Sequence, residues 1–274
     1  MMNPKSVPSR RRLQFLPTPR DRRIIETVRV HGRLTSRQIR QLFFRRPNGR
    51  LASAQAVNAR LRKLVDMRYL EPVVVSGGHG GGPYAYGLAF RSRALLGGVG
   101  TTRRSRGAGA IWHQLEIADF RIALQKEFES HNGELVEWLG ESVLRGLLIG
   151  RRGTPVPDAL IHWRLRGREG TLLLEWDRGS ESLAVLTAKI RTYVDHWRVR
   201  AHRELIPGLG LKPRLAVVLD SRERASRLTR WLTEKQAETL PATVLIGVAK
   251  SVLVDPLGDL WWRSDSGRAG SFHR

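Results

Sequence analysis

The stretch TLLLEWDRGSES, residues 171–182, decides how the rest of the chain is read. Three consecutive leucines are too short a run for a buried helix and suit a strand covered on both faces. Because side chains alternate along a strand, Glu175 and Asp177 fall on one face and Trp176 on the other. Upstream, VPDALIHWRL (156–165) reads as a second strand that opens on Asp158, and RGREG (166–170) turns it back into the first. Asp158 at the start of one strand and Glu175 near the end of its neighbour can stand a few ångströms apart.

Working outward, IWHQLEIADFRIALQKEFES (111–130) is a helix with Ile111, Leu115, Ala118, Ile122 and Phe128 at helical spacing, and it carries Glu116. ELVEWLGES (134–142) is a strand. ESLAVLTAKIRTYVDHWRVR (181–200) is a long helix, and PRLAVVLD (213–220) is a buried strand. A helix from 221 and a strand over ATVLIGVA (242–249) complete the region. The expected fold class is α/β, a mixed sheet flanked by helices in the order α-β-β-β-α-β. That order resembles the core of the PD-(D/E)xK nuclease superfamily, a resemblance that implies Asp158 and Glu175 at its acidic positions. In such a site two carboxylates hold Mg²⁺ or Mn²⁺ through hard oxygen ligands, and the metal activates a water. Glu116 is the candidate third carboxylate. The superfamily's lysine, two residues after the glutamate, is here Asp177, so the motif is degenerate. Lys189, in the following helix, is the candidate replacement, and Tyr193, one turn on, points the same way. Arg178 is a poor proton acceptor because a guanidinium keeps its charge. The competing reading makes these acids structural: Asp158 at a strand start, Glu175 and Asp177 paired with arginines such as Arg178 and Arg191.

The N-terminal third reads differently. The whole chain of 274 residues carries a net charge of +23. Residues 1–106 hold 23 Lys/Arg against 4 Asp/Glu, and the remainder holds 25 against 21. A basic module joined to a nearly balanced one is the electrostatic footprint of a nucleic-acid-binding unit attached to something else. Thr18-Pro19 with Asp21, Thr35 with Gln38, and Ser53 announce three helix starts. In the third helix Val57, Leu61, Leu64 and Val65 face a core, while Gln55, Asn58, Arg60, Arg62 and Lys63 lie on the other face or its flanks. These residue types read base edges and phosphates in a major groove. Two short strands around SGGHGGG (76–82) form a hairpin, and His79 sits in its tip. Three helices and a hairpin make a winged helix-turn-helix, whose expected partner is double-stranded DNA; a protein-interaction module with a merely solvated charged face is the competing reading.

The expected boundaries are a basic flexible tail over 1–16, the winged helix over 17–96, a linker over 97–110, the nuclease-like domain over 111–262, and a flexible tail over 263–274. The 41% hydrophobic content suffices for one large core or two modest ones. The absence of cysteine excludes disulfides and thiolate-bound zinc. No apolar run approaches the roughly 20 residues that cross a bilayer, which points to a soluble, cytoplasmic protein without a membrane partner. His113, His131, His162 and His196 lack metal-ligand spacing, and there is no HExxH, P-loop or GxSxG. The glycines of 77–82 lead into a strand, so they fail the context of a dinucleotide site.

Taken together, LTSRQIRQLFF, VNARLRKLVDMRYL, GGPYAYGL, HQLEIADFRIAL, PDALI and LLLEWDRGSESL, followed by Lys189 and Tyr193, resemble the replication-relaxation family encoded by plasmids and integrating elements of bacteria. The resemblance runs from about residue 17 to 200. It implies a DNA-associated role in replication or maintenance of a mobile element, with replication or relaxase proteins as partners. It singles out Asp158, Glu175, Asp177, Glu181 and Lys189, and makes the ExDRGxE form a family feature. Two other functions stand beside it: a Mg²⁺-dependent endonuclease or nickase, and a homodimeric winged-helix regulator of transcription.

Overall fold

The computed structural model describes residues 16–75, 84–97, 107–148, 153–198, 214–235, 240 and 242–273. Most of the N-terminal tail, the hairpin tip with His79 and residues 98–106 of the expected linker lie outside the described residues.

The N-terminal unit begins with α1 (Pro19–His31), β1 (Leu34–Thr35), α2 (Ser36–Phe43) and α3 (Ala54–Asp66). Strands β2 (Leu70–Val74) and β3 (Tyr84–Leu88) follow, then the short α4 (Phe90–Leu95). The three strands form an antiparallel sheet in the order β1-β3-β2. Each helix start follows from its capping residue. The Thr18 side chain accepts from the Asp21 amide while Asp21 reaches back to Thr18, and Thr35 and Gln38 do the same for α2. Ser53 Oγ accepts from the Ala56 amide at 3.2 Å to open α3. Ile24, Ile25, Val28, Leu34, Leu61 and Leu64 close the core between them.

The larger unit contains α5 (Ala108–Ser130), β4 (Glu134–Gly140), α6 (Glu141–Leu147), β5 (Ala159–Leu165), β6 (Arg168–Asp177) and α7 (Leu183–Arg198). It continues with β7 (Arg214–Leu219), α8 (Arg222–Lys235), β8 (Val244–Val248), α9 (Ala249–Val252), β9 (Trp261–Arg263) and β10 (Arg268–Gly270). Its seven strands run in the order β10-β9-β8-β7-β6-β5-β4, with β6-β7-β8 parallel and the other pairs antiparallel. This is the mixed α/β sheet the sequence pointed to, and α5-β4-β5-β6-α7-β7 follows the α-β-β-β-α-β order with α6 inserted. The β5–β6 turn has Arg166 and Gly167 at φ 51 and 73, the left-handed pair of a tight hairpin.

Two apolar layers sandwich the sheet. On one face Ile117, Phe120, Leu124 and Phe128 of α5 meet Trp163 and Trp176. On the other, Leu186, Ile190 and Tyr193 of α7 meet Leu173 and Val217.

Residues 263–273, expected as a flexible tail, pack onto the sheet domain. Arg268–Gly270 pair with Trp261–Arg263, and Phe272 is fully buried against Phe128, Trp163 and Trp261. The ring leaves water for an aromatic pocket, a gain that holds the chain end in place. The two units also dock closely. The second face of α5 places Ala118 in the N-terminal core and packs Ile111 and Leu115 against Val75 and Ala85. Gln38 Nε2 donates to the Leu115 carbonyl at 2.7 Å and to Asp119 Oδ1 at 3.0 Å. No described helix is long and apolar enough to cross a membrane.

Candidate functional site

Strand β6 carries the centre of the site. Its neighbours β5 and β7 bury Glu175 to 3% exposure on the face covered by α7. Lys189 and Tyr193 stand four apart on α7 and so share one face of the helix. Lys189 Nζ donates to Glu175 Oε2, and the Tyr193 hydroxyl donates to Oε1. Both carboxylate oxygens are thus engaged.

Asp158 sits just before β5. Its amide donates to the Leu174 carbonyl at 2.9 Å, and its Oδ2 accepts from the Trp176 amide at 2.8 Å. The acid is therefore pinned across the end of β6, beside Glu175. His113 of α5 completes the corner: its Nε2 lies 3.3 Å from Asp158 Oδ2 and 2.8 Å from the Trp176 carbonyl.

Burial pushes the Glu175 carboxyl up, to about 8, and the Asp158 charge adds to the rise; Lys189 and Tyr193 oppose it. Burial pulls Lys189 down, but Glu175, Asp158 and Glu181 outweigh it and hold the ammonium form. Burial, then the charge of Glu175, raises the Tyr193 hydroxyl well above its ordinary range. For His113, burial is outweighed by Asp158, the Trp176 carbonyl and Glu141, and the ring's pKa rises. Lys189 is thus held as an ammonium and is a weak proton acceptor.

Glu116 does not join this group. Trp176 Nε1 donates to its Oε2 at 2.8 Å and Arg178 Nε to its Oε1 at 3.0 Å. The reason is strand alternation: Trp176 faces α5 and Glu175 faces α7, so the sheet separates Glu116 from Glu175. Asp177 also has a separate task. Its Oδ2 pairs with Arg224 of α8, and its Oδ1 accepts the Gly179 amide at 3.0 Å. Arg224 Nη2 further donates to the Glu181 carbonyl at 2.6 Å. Asp177 and Glu181 therefore anchor α8 to the end of β6.

A divalent metal on Glu116, Asp158 and Glu175 does not fit this geometry. Glu116 lies across the sheet, Glu175 has both oxygens occupied, and no three His, Asp or Glu side chains among the described residues stand close enough to hold an ion. Asp158 and Glu175 remain as a pair.

On α3, Gln55, Asn58, Arg62 and Lys63 are exposed. Arg60 turns inward, its Nε 2.8 Å from Oδ1 of the fully buried Asp21, and ties α3 to the start of α1. His79 lies outside the described residues. His113 is a site residue that the sequence does not reveal. Its strand-end contacts join residues 45 and 63 positions apart, which no local spacing signals.

No curated protein matches the chain in sequence. Among solved structures it is similar to the restriction endonuclease FokI bound to DNA, at 10% identity and a TM-score of 0.28, and to FokI alone, at 12% and 0.31. Each match covers 85% of this chain and 43% of the FokI chain, so this chain spans less than half the length of those proteins. The replication-relaxation family description matches residues 25–209, which run from the middle of α1 through the whole of α7 and include every residue of the acid–lysine–tyrosine cluster. The chain belongs to the replication-relaxation family.

Proposed function

We propose that the protein binds duplex DNA through its N-terminal unit, acting as a winged helix-turn-helix, and serves replication or maintenance of a plasmid or other mobile element. The sheet domain is a nuclease-derived scaffold that contacts DNA or a replication or relaxase protein without robust cleavage. One observation carries the DNA reading: Gln55, Asn58, Arg62 and Lys63 project from α3 in a stretch with no acidic residue between Glu26 and Asp66. Such a face suits a major groove flanked by phosphates. Family membership supports the replication context. The occupied oxygens of Glu175 support the scaffold role.

A second reading, a Mg²⁺- or Mn²⁺-dependent nickase, is favoured by the meeting of Asp158, Glu175 and Lys189. A metal there would supply an activated water and charge neutralisation at the phosphate. Asp158 and Glu175 are the carboxylates that would hold it.

A supercoiled-plasmid assay with Mg²⁺ and Mn²⁺ decides between them, run beside DNA binding on wild type and Asp158→Ala. The expected result is DNA binding by both proteins and nicking by neither. Metal-dependent nicking by wild type that Asp158→Ala abolishes overturns the scaffold role and establishes the nickase.

A further inference from the structure

The segment between α2 and α3 is built in an unusual way for a helix connection. Residues 44–52, FRRPNGRLA, form a small antiparallel hairpin in which Arg45 pairs with Leu51. The Arg46 amide donates to the Arg50 carbonyl at 2.8 Å, the Gly49 amide to the Arg46 carbonyl at 2.9 Å, and the Ala52 amide to the Phe44 carbonyl at 2.8 Å. The turn is Arg46-Pro47-Asn48-Gly49, with Gly49 at φ 76 and Asn48 Oδ1 accepting from the Arg50 amide at 3.1 Å. Arg40 Nε donates to the Ala52 carbonyl at 2.6 Å and fastens the base of the hairpin to α2.

This frame displays three exposed arginines, Arg45, Arg46 and Arg50, and runs straight into the Ser53 cap of α3. No acidic residue occurs in the hairpin or in the first turn of α3. Among the described residues no carboxylate pairs with any of the three. Three like charges in six residues repel one another, and an ordered backbone keeps them from spreading apart. A row of anions one strand-width away relieves that repulsion. Phe44, the hairpin's aromatic residue, is buried, and the one exposed apolar residue of the turn is Pro47, so the tip offers no large apolar group for insertion into a lipid layer.

We infer that the Arg45–Arg50 hairpin is a phosphate clamp that grips the DNA backbone beside the groove entered by α3. This rests on the proposal that the N-terminal unit binds duplex DNA. Phosphate contacts fix register and orientation without reading sequence. The hairpin therefore supplies sequence-independent affinity, while Gln55 and Asn58 supply discrimination.

The test is the salt dependence of full-length protein binding to a labelled duplex, since each neutralised phosphate contributes about 0.9 to the slope of log affinity against log salt. Arg45→Ala/Arg46→Ala/Arg50→Ala is expected to flatten the slope by about 2.7, for three lost contacts, and equally on duplexes of unrelated sequence. The corresponding triple lysine variant is expected to keep the slope, and Gln55→Ala/Asn58→Ala to leave it unchanged while lowering preference among sequences. A steep wild-type slope that the alanine triple leaves intact overturns the clamp and spares the DNA reading. Equal flattening by the lysine triple overturns it too, because charge is then not the cause. A salt-independent wild type overturns the DNA reading itself. Loss of binding to phosphatidylserine vesicles, with DNA binding unaltered, would reassign the hairpin to a membrane surface.

Discussion

At the scale of single residues, what a side chain touches decides its role more than its type does. His31 is an example outside the acidic cluster. It is buried at the end of α1, and Arg121 Nη1 donates to its Nε2 at 2.9 Å. A guanidinium only donates, so this nitrogen must be unprotonated. Burial, then the Arg121 charge, holds the His31 pKa well below its ordinary value. The unfolded chain takes up this proton near pH 6.5, whereas the folded one does not. Stability is therefore full above that pH and declines as pH falls toward the folded pKa, by at most about 1.4 kcal/mol per pH unit from this group. His31→Gln, whose amide oxygen can accept from Arg121 but does not titrate, is expected to shed this part of the acid slope in urea melts between pH 7 and 5. The sequence gives partial access to such pairings. Lys189 was a candidate for the acidic site by its place in the helix after Glu175, but that its ammonium reaches Glu175 is visible only in the fold. The Arg224–Asp177 pair was not legible, because its members are 47 positions apart on separate elements.

At the scale of elements, capping chemistry was the readable part. The three N-terminal helices begin where Thr18, Thr35 and Ser53 predict. Helix α6 escaped notice because Gly140 precedes it without any side-chain cap, directly after a strand. The β9–β10 hairpin escaped because Arg268-Ala269-Gly270 shows no apolar alternation. Phe272→Ala is expected to cost about 3–5 kcal/mol of stability, the range for a buried aromatic, measured by chemical denaturation. An unchanged midpoint would mean the chain end is not part of the core. Gln38 shows how one capping residue can serve two elements. Its Oε1 accepts from the Thr35 amide at 2.9 Å, and its Nε2 reaches α5. Glutamate is an equally good capping-box residue in general. Here Gln38→Glu loses both donors to α5 and sets a second carboxylate beside Asp119. The expected cost is about 3 kcal/mol, in contrast to the near-neutral outcome of the same exchange at an exposed cap.

At the scale of the whole molecule, charge asymmetry and strand patterning placed a basic helical unit before a mixed α/β sheet. The close docking of the two units was not legible. It depends on polar residues, Gln38, Asp119, Arg121 and His31, that look like surface in sequence and become buried or half-buried only against each other. It also depends on Gly140, where a Cβ would stand 2.2 Å from the Val30 carbonyl oxygen. Helix α5 is shared property, apolar toward both cores, so neither unit keeps its packing if the other leaves. This docking makes the molecule a ruler. The span from the outward face of α3 to the Asp158–Glu175 pair is set by packed side chains, not by the length of chain that connects the units. If the N-terminal unit binds duplex DNA as proposed, any DNA contact of the sheet domain lies a constant number of base pairs from that site. Residues inserted between Gly97 and Gly107 should leave that offset unchanged in a footprint.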